Sequence, residues 1–247
     1  VRFTIEIATN DYSTVAAAVR GGADRIELCS ALSEGGLTPS FGLIKKCKQD
    51  FSLPIFPIIR PRSGDFLYTE EEFRIMLDDV LLCKDLGCEG VVVGFLLEDG
   101  SVDTRRLEKI VAAAYPMEVT FHRAFDRCVD PFKALEDIID AGCQRILTSG
   151  QELVAPDGAD LIRQLVEAAD NRIIIMPGSG VRKENIQSLA AQTGAVEFHS
   201  SLRSTVKSSM QFQHPSFVQT PDDFVLPAIE ETAVKALKES LAAVSID

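Results

Sequence analysis

The chain is predicted to fold as an α/β protein, a single (β/α)8 TIM barrel spanning residues 1–247. Eight short apolar runs alternate with eight helix-like stretches, the pattern of a ring of parallel strands inside a ring of helices. A length of 247 residues suits one such barrel and leaves no room for a second domain. In five of the runs, the positions of one parity carry charged or imidazole side chains. Successive strand residues point to opposite faces. If Ile5, Ile7, Ile26, Leu28, Val119, Phe121, Val196 and Phe198 meet the helices, then Glu6, Glu27, Cys29, Arg60, His122, Glu197 and His199 point inward. Barrel interiors are usually filled with branched apolar residues. This sequence predicts a charged one.

The strand runs are 3–8, 24–29, 56–62, 91–95, 119–122, 145–149, 173–178 and 196–200. Between and after them the helices read as 11–20, 40–50, 70–86, 103–114, 131–141, 158–169, 182–191 and 227–243. Asp11, Ser40 and Thr69 are N-cap residues by type and place, and glutamates follow Thr69 in the first turn. Gly22, Gly87, Gly142 and Gly194 stand where helices end before the next strand. Two connections exceed the usual loop length: 29–39 after the second run and 200–226 after the eighth. Both follow strands, on the face where barrel enzymes build their sites. A covering loop, a subunit contact or disorder would each account for 200–226.

The net charge of −12 argues against nucleic acid or an anionic membrane surface as a partner. No apolar stretch approaches the ~18 residues of a membrane span, and nothing at the start reads as a signal peptide. A cytoplasmic location is the expectation. The six cysteines form no C-x-x-C pair. Cys47, Cys83, Cys88 and Cys143 read as small buried hydrophobes, whereas Cys29 and Cys128 fall near the catalytic face.

Chemistry concentrates at the strand ends. The third run exits through Arg60, Arg62 and Asp65, and the fifth through His122, Arg123 and Asp126. With Glu6, Glu27 and His199 they bring both signs of charge and two imidazoles to the mouth, which is what general acid–base work needs. Paired arginines grip a carboxylate or phosphate. The plainer alternative is an internal ion-pair network in which Glu6 and Glu27 only neutralise Arg60. After the seventh run, Gly178, Ser179 and Gly180, with Ser200 from the eighth, are placed to hold an anion on backbone N–H groups. Read as an enzyme of small phosphorylated or carboxylated metabolites, the chain would use Glu27, His122 and Asp126 for proton abstraction or aldol-type chemistry. No lysine ends the third, fifth or sixth run, against a Schiff-base aldolase. A binding-only sensor is the third reading. No metal motif, serine elbow or P-loop of known spacing is present.

The segments GGADRIELCSALSEGGLTPS (21–40), PIIRPRSGDFLY (57–68), VTFHRAFD (119–126), ILTSGQ (146–151), IIMPGSGV (174–181) and EFHSSLR (197–203) closely resemble the CutC family of copper homeostasis proteins. The resemblance implies a cytoplasmic (β/α)8 barrel, often a homodimer, with a role in copper tolerance and Cu(I) as bound ion. It also implies a metal site at Cys29. Some members carry a second cysteine at the end of the first strand, where this chain has Ala8. One thiolate is a poor chelator for Cu(I). His122, His199 and Met176 are the remaining donors that the sequence could place at the mouth.

Overall fold

The computed structural model describes residues 2–217 and 224–242. Eight parallel strands alternate with eight helices: β1 (Thr4–Thr9), α1 (Tyr12–Arg20), β2 (Arg25–Leu28), α2 (Phe41–Asp50), β3 (Ile55–Pro57), α3 (Glu70–Asp85), β4 (Gly90–Val93), α4 (Thr104–Ala114), β5 (Glu118–Phe121), α5 (Pro131–Asp140), β6 (Arg145–Thr148), α6 (Ala159–Ala169), β7 (Ile174–Pro177), α7 (Ile186–Thr193), β8 (Glu197–Ser200) and, last, α8 (Glu231–Ala242). The ladders form two four-stranded arcs, ordered β3-β2-β1-β8 and β4-β5-β6-β7. The arcs meet at a parallel bridge from Ile58 to Val92 and where β7 lies beside β8. This is the (β/α)8 barrel. Among the described residues, no helix is long and apolar enough to cross a membrane.

Local chemistry explains the helix boundaries. Asp11 and Thr69 each close a capping box, accepting from the backbone N–H of Thr14 and Glu72, and Ser40 accepts from Leu43. The expected inward and outward parity holds: Ile5, Ile7, Ile26, Leu28, Val119, Phe121 and Phe198 are buried in the core shared with the helices. Val196 is half-buried, just ahead of β8.

Three boundaries differ from the sequence reading. Helix α7 begins at Ile186, not 182, because Asn185 folds back: its Oδ1 accepts from Arg182 N and its Nδ2 donates to the Gly180 carbonyl. The third run is a strand only over Ile55–Pro57, after which Arg60 N–H is taken by the Thr38 hydroxyl. The segment 200–226 contains β9 (Arg203–Lys207), which pairs antiparallel with β10 (Val225–Ile229). The expected helix 227–243 therefore starts only at Glu231, once that pairing has ended, and residue 243 lies outside the described residues.

Candidate functional site

The barrel interior is built in layers. At the bottom, Arg25 opens β2, Arg145 opens β6 and Glu197 opens β8. Arg25 Nε donates to Glu6, its second amino group donates to Glu197 at 2.6 Å, and Arg145 Nε reaches the same Glu197 oxygen at 2.7 Å. Both guanidinium groups lie against the Phe56 ring, 5.1 and 5.6 Å from its centroid. Met176, expected at the mouth from its place near the end of the seventh run, is instead in this layer, its sulfur 3.3 Å from Arg25. Arg25 and Arg145 escape the sequence reading, although each shares its strand parity with an inward residue two positions on.

Above this plug sits an acid–base cluster. Parallel pairing sets Glu6 beside His199 and Ala8 beside Glu27. His199 Nδ1 is 2.7 Å from Glu6, which turns Nε2 toward Glu27 at 3.7 Å, and the Cys29 thiol donates to Glu27 at 3.4 Å. Burial opposes charge on Glu6, but Arg25 and His199 outweigh it and hold the carboxylate well below the usual range. Burial pushes Glu27 up, only partly offset by His199. For His199, burial disfavours the imidazolium, yet Glu27 and Glu6 prevail and raise it. Each of Glu27 and His199 thus acts on the other across the cavity floor, where both are raised.

The mouth is a cavity of about 180 Å³ whose lining includes Glu27, Arg60, His122, Arg123, Ser179, Gly180 and His199. His122 is buried, held down to about 3 by burial and then by Arg60, and is therefore a neutral imidazole. Ala124 N–H donates to its Nδ1, so the ring proton sits on Nε2, which has no partner among the described residues. A side chain at Gly94 would overlap this ring, which fixes glycine there. Arg60 is 4% exposed. Its amino groups donate to the carbonyls of Glu34, Gly36 and Gly64, and Phe66 stacks on it at 5.1 Å. No carboxylate pairs with it, and its Nε is without a partner, among the described residues. The alternative in which Glu6 and Glu27 neutralise Arg60 is not what the structure contains. Its charge is met by carbonyl oxygens and, more distantly, by Asp65, which is itself paired with Arg62.

Other expected residues fall outside the cavity lining. Arg62 and Asp65 pair with each other at 2.9 Å, and Arg62 also grips Glu72 on α3. They lie past the end of β3, where strand parity no longer governs direction. Asp126 is a scaffold: it accepts from Thr148 Oγ1, Ser149 N, Gln151 N and Arg123 Nε, so both its oxygens are spent. Arg123, held this way and by the Ser149 hydroxyl, does line the cavity. Gly178 N–H is committed to the Thr148 carbonyl, and the Ser200 hydroxyl donates to the Val181 carbonyl. Among the described residues, the N–H groups of Ser179, Gly180 and Val181 on the β7 loop donate to no backbone carbonyl, and these residues line the cavity, with φ at Gly180 of +70° shaping the turn. Ser201, which follows Ser200 in the sequence reading as a further anion donor, lines that side; Arg182 and Arg203 complete it and escape that reading, since they come from loops whose path the sequence does not give. Cys128 is buried behind Gln151, away from the cavity.

The titrations predict a stability profile. Unfolded His122 takes up a proton near pH 6.5 while the native ring does not, so stability is lost as pH falls below that value. One such group gives a limiting slope of ~1.4 kcal/mol per pH unit. The depressed Glu6 adds to the same acid limb once the pH reaches the ordinary carboxylate range. Glu27 and His199, both raised, stabilise at low pH and lose that contribution as pH rises through their native values. A His122→Asn variant is expected to flatten the acid limb in urea unfolding. An unchanged limb would show that His122 is not held neutral.

Residues 3–204 match the model of the CutC family. A family protein CutC from Parabacteroides distasonis is 53% identical over 211 residues, covering 85% of this chain and 87% of that protein. The human copper homeostasis protein cutC homolog is 43% identical over 239 residues, covering 95% of this chain and 88% of that one. The crystal structure of the CutC protein from Streptococcus agalactiae superposes with a TM-score of 0.77 at 32% identity, covering 81% of this chain and 98% of that chain.

Proposed function

This chain belongs to the CutC family, and on that premise we propose that its barrel mouth binds a small phosphorylated or carboxylated metabolite and moves a proton on it. The observation that carries the reading is Arg60, a buried guanidinium lining the cavity that forms no ion pair among the described residues. Leaving such a charge unpaired costs roughly several kcal/mol, which an anionic ligand would recover. The N–H groups of the β7 loop and Arg123 lie around the same cavity.

The chemistry follows from the protonation states. Glu27, raised by burial, is a base matched to a weakly acidic C–H or O–H group, and His199 returns the proton. In the forward step, a C–H bond beside a substrate carbonyl breaks and its proton passes to a Glu27 oxygen; the pair left behind forms a C=C bond, and the carbonyl π pair moves onto the carbonyl oxygen. Arg60 offsets the charge that develops on that oxygen, and the neutral His122 beside it adds no competing charge. Glu6 keeps His199 in the tautomer that faces Glu27. No lysine among the described residues lines the cavity, so an amine adduct is not part of this reading.

The test is incubation with a panel of small phosphorylated and carboxylated metabolites in D2O, read by mass spectrometry. Uptake of one deuterium by the wild type, lost in Glu27→Gln with ligand binding kept, supports the reading. Binding without exchange would leave a sensor, and absence of any binding would remove the proposal.

The residues do not fit Cu(I) well. Burial, and then Glu27, push the Cys29 thiol far above its ordinary value, so the thiolate that Cu(I) prefers is disfavoured. Ala8 offers no sulfur, and Met176 is engaged with Arg25. In competition with a Cu(I) chelator, the wild type is expected to bind weakly, Cys29→Ser more weakly still and Ala8→Cys more tightly. Tight one-to-one binding that survives Cys29→Ser would put a copper site elsewhere. The exposed Val206, Met210 and Phe212 suit a homodimer contact, which light scattering would test.

A further inference from the structure

Beside the mouth lies a second cavity of about 430 Å³, larger than the first and mostly apolar in character. Its floor comes from the β1 and β2 ends and its wall from the ribbon strand β10: Ala31, Leu32, Val225, Pro227, Ala228 and Ile229. Ser33, Ser201, Arg203 and Thr205 are among the polar residues on its border, and Asn10 and Thr14 are already engaged. Asn10 Oδ1 accepts from Leu32 N–H, and the Thr14 hydroxyl accepts from Asn10 and Asp11 N–H. Ser204 Oγ is buried and without a partner among the described residues. The two cavities share Ala8, Leu32, Ser201 and Arg203. At the divide, Ala8 carries only a methyl group, where a longer side chain would stand between them.

We propose that this second cavity is a subsite for the apolar part of the ligand, so that the metabolite is amphiphilic: an anionic head at Arg60 and the β7 loop, and an unbranched or cyclic hydrocarbon part against the ribbon. The inference rests on the reading of the mouth as an anion site. It adds what that reading leaves open, the class of substrate. A wholly polar sugar phosphate would leave this apolar wall in contact with water and gain nothing from it. A hydrocarbon chain removes it from water, at about fourfold in affinity per buried methylene. The 200–226 segment thereby acquires a role: its ribbon supplies the wall that selects the ligand, while the barrel supplies the charge.

Titration calorimetry with inorganic phosphate, methyl phosphate, n-butyl phosphate and n-hexyl phosphate tests this. In the wild type, affinity is expected to climb about fourfold per methylene over the first members beyond methyl phosphate. Ala228→Leu and, separately, Ser204→Leu, at two residues paired on one face of the ribbon, reduce the space in the second cavity without touching the mouth. Each is expected to bind inorganic phosphate as the wild type does and to flatten the climb. Phosphate binding with a flat wild-type series would overturn the subsite and leave the anion reading standing. A climb preserved in both variants would place the chain elsewhere and also overturn it. Failure of phosphate and of every alkyl phosphate to bind would overturn the anion reading and the subsite with it.

Discussion

Replacing Arg25 with methionine is expected to cost the fold about 3–5 kcal/mol, the usual loss when one partner of a buried ion network is removed. Arg25 stands between Glu6 and Glu197, with side-chain exposures of 7%, 0% and 11% respectively. Removing it leaves Glu6 with His199 alone and Glu197 with Arg145 alone. The carboxylates cannot regain water at the bottom of a packed barrel, so the penalty is desolvation without compensation. Adding Glu197→Leu to Arg25→Met is expected to recover part of the loss, because one stranded charge then disappears. Guanidinium denaturation at neutral pH measures both. A single variant within about 1 kcal/mol of wild type, the range of a surface ion pair, would mean that the network is not what holds the barrel floor. The same substitution should act on the mouth. With Arg25 gone, Glu6 is less firmly ionised and its grip on His199 weakens, so the pH profile of any exchange reaction should shift.

Replacing Arg60 with methionine is expected to lower affinity for inorganic phosphate by roughly 10- to 150-fold, the loss of one hydrogen bond to a charged group at about 1.5–3 kcal/mol. Stability should change little or rise, since the variant removes a buried charge that forms no ion pair among the described residues. That opposition of signs is the diagnostic result. A purely structural arginine, tying Glu34, Gly36 and Gly64 together, would lose stability on substitution and leave phosphate affinity where it was. Arg60→Lys should keep a positive charge but lose the forked contacts to these carbonyls, and recover only part of the affinity. Equal phosphate binding by Arg60→Met and wild type would move the anion site to the β7 loop alone.

How far the sequence can be read depends on what each residue's position encodes. The strand parity of β1, β2, β5 and β8 is legible because a period of two leaves no other arrangement once the apolar set faces the helices. Glu6, Glu27, His122 and His199 emerge that way, and all four are buried inside the barrel. The helix starts at Asp11, Ser40 and Thr69 are legible because a cap is a local hydrogen bond. Arg62 and Asp65 group with Arg60 only by nearness in sequence, and the chain turns outward between them. Asp126 has the right residue type and place, yet its oxygens are consumed by the neighbouring β6 loop.

By itself, then, the sequence determined the eightfold alternation, the family and the inward set of charged side chains, all properties of local periodicity or of residue identity. Only the tertiary structure decided the pairing. Parity says which face a side chain takes but not its depth along the barrel axis, and depth selects partners. It brings Glu6 level with His199 and within reach of Arg25, and leaves Arg60 above them among carbonyl groups, in no ion pair among the described residues. The ribbon of β9 and β10 lay beyond the sequence for a related reason: its strands are separated by 17 residues, from Lys207 to Val225, and long-range pairing leaves no local mark. The cavity beside that ribbon exists only because Ala8, Leu32 and Ala228, distant in the chain, are brought to one wall by the closing of the barrel.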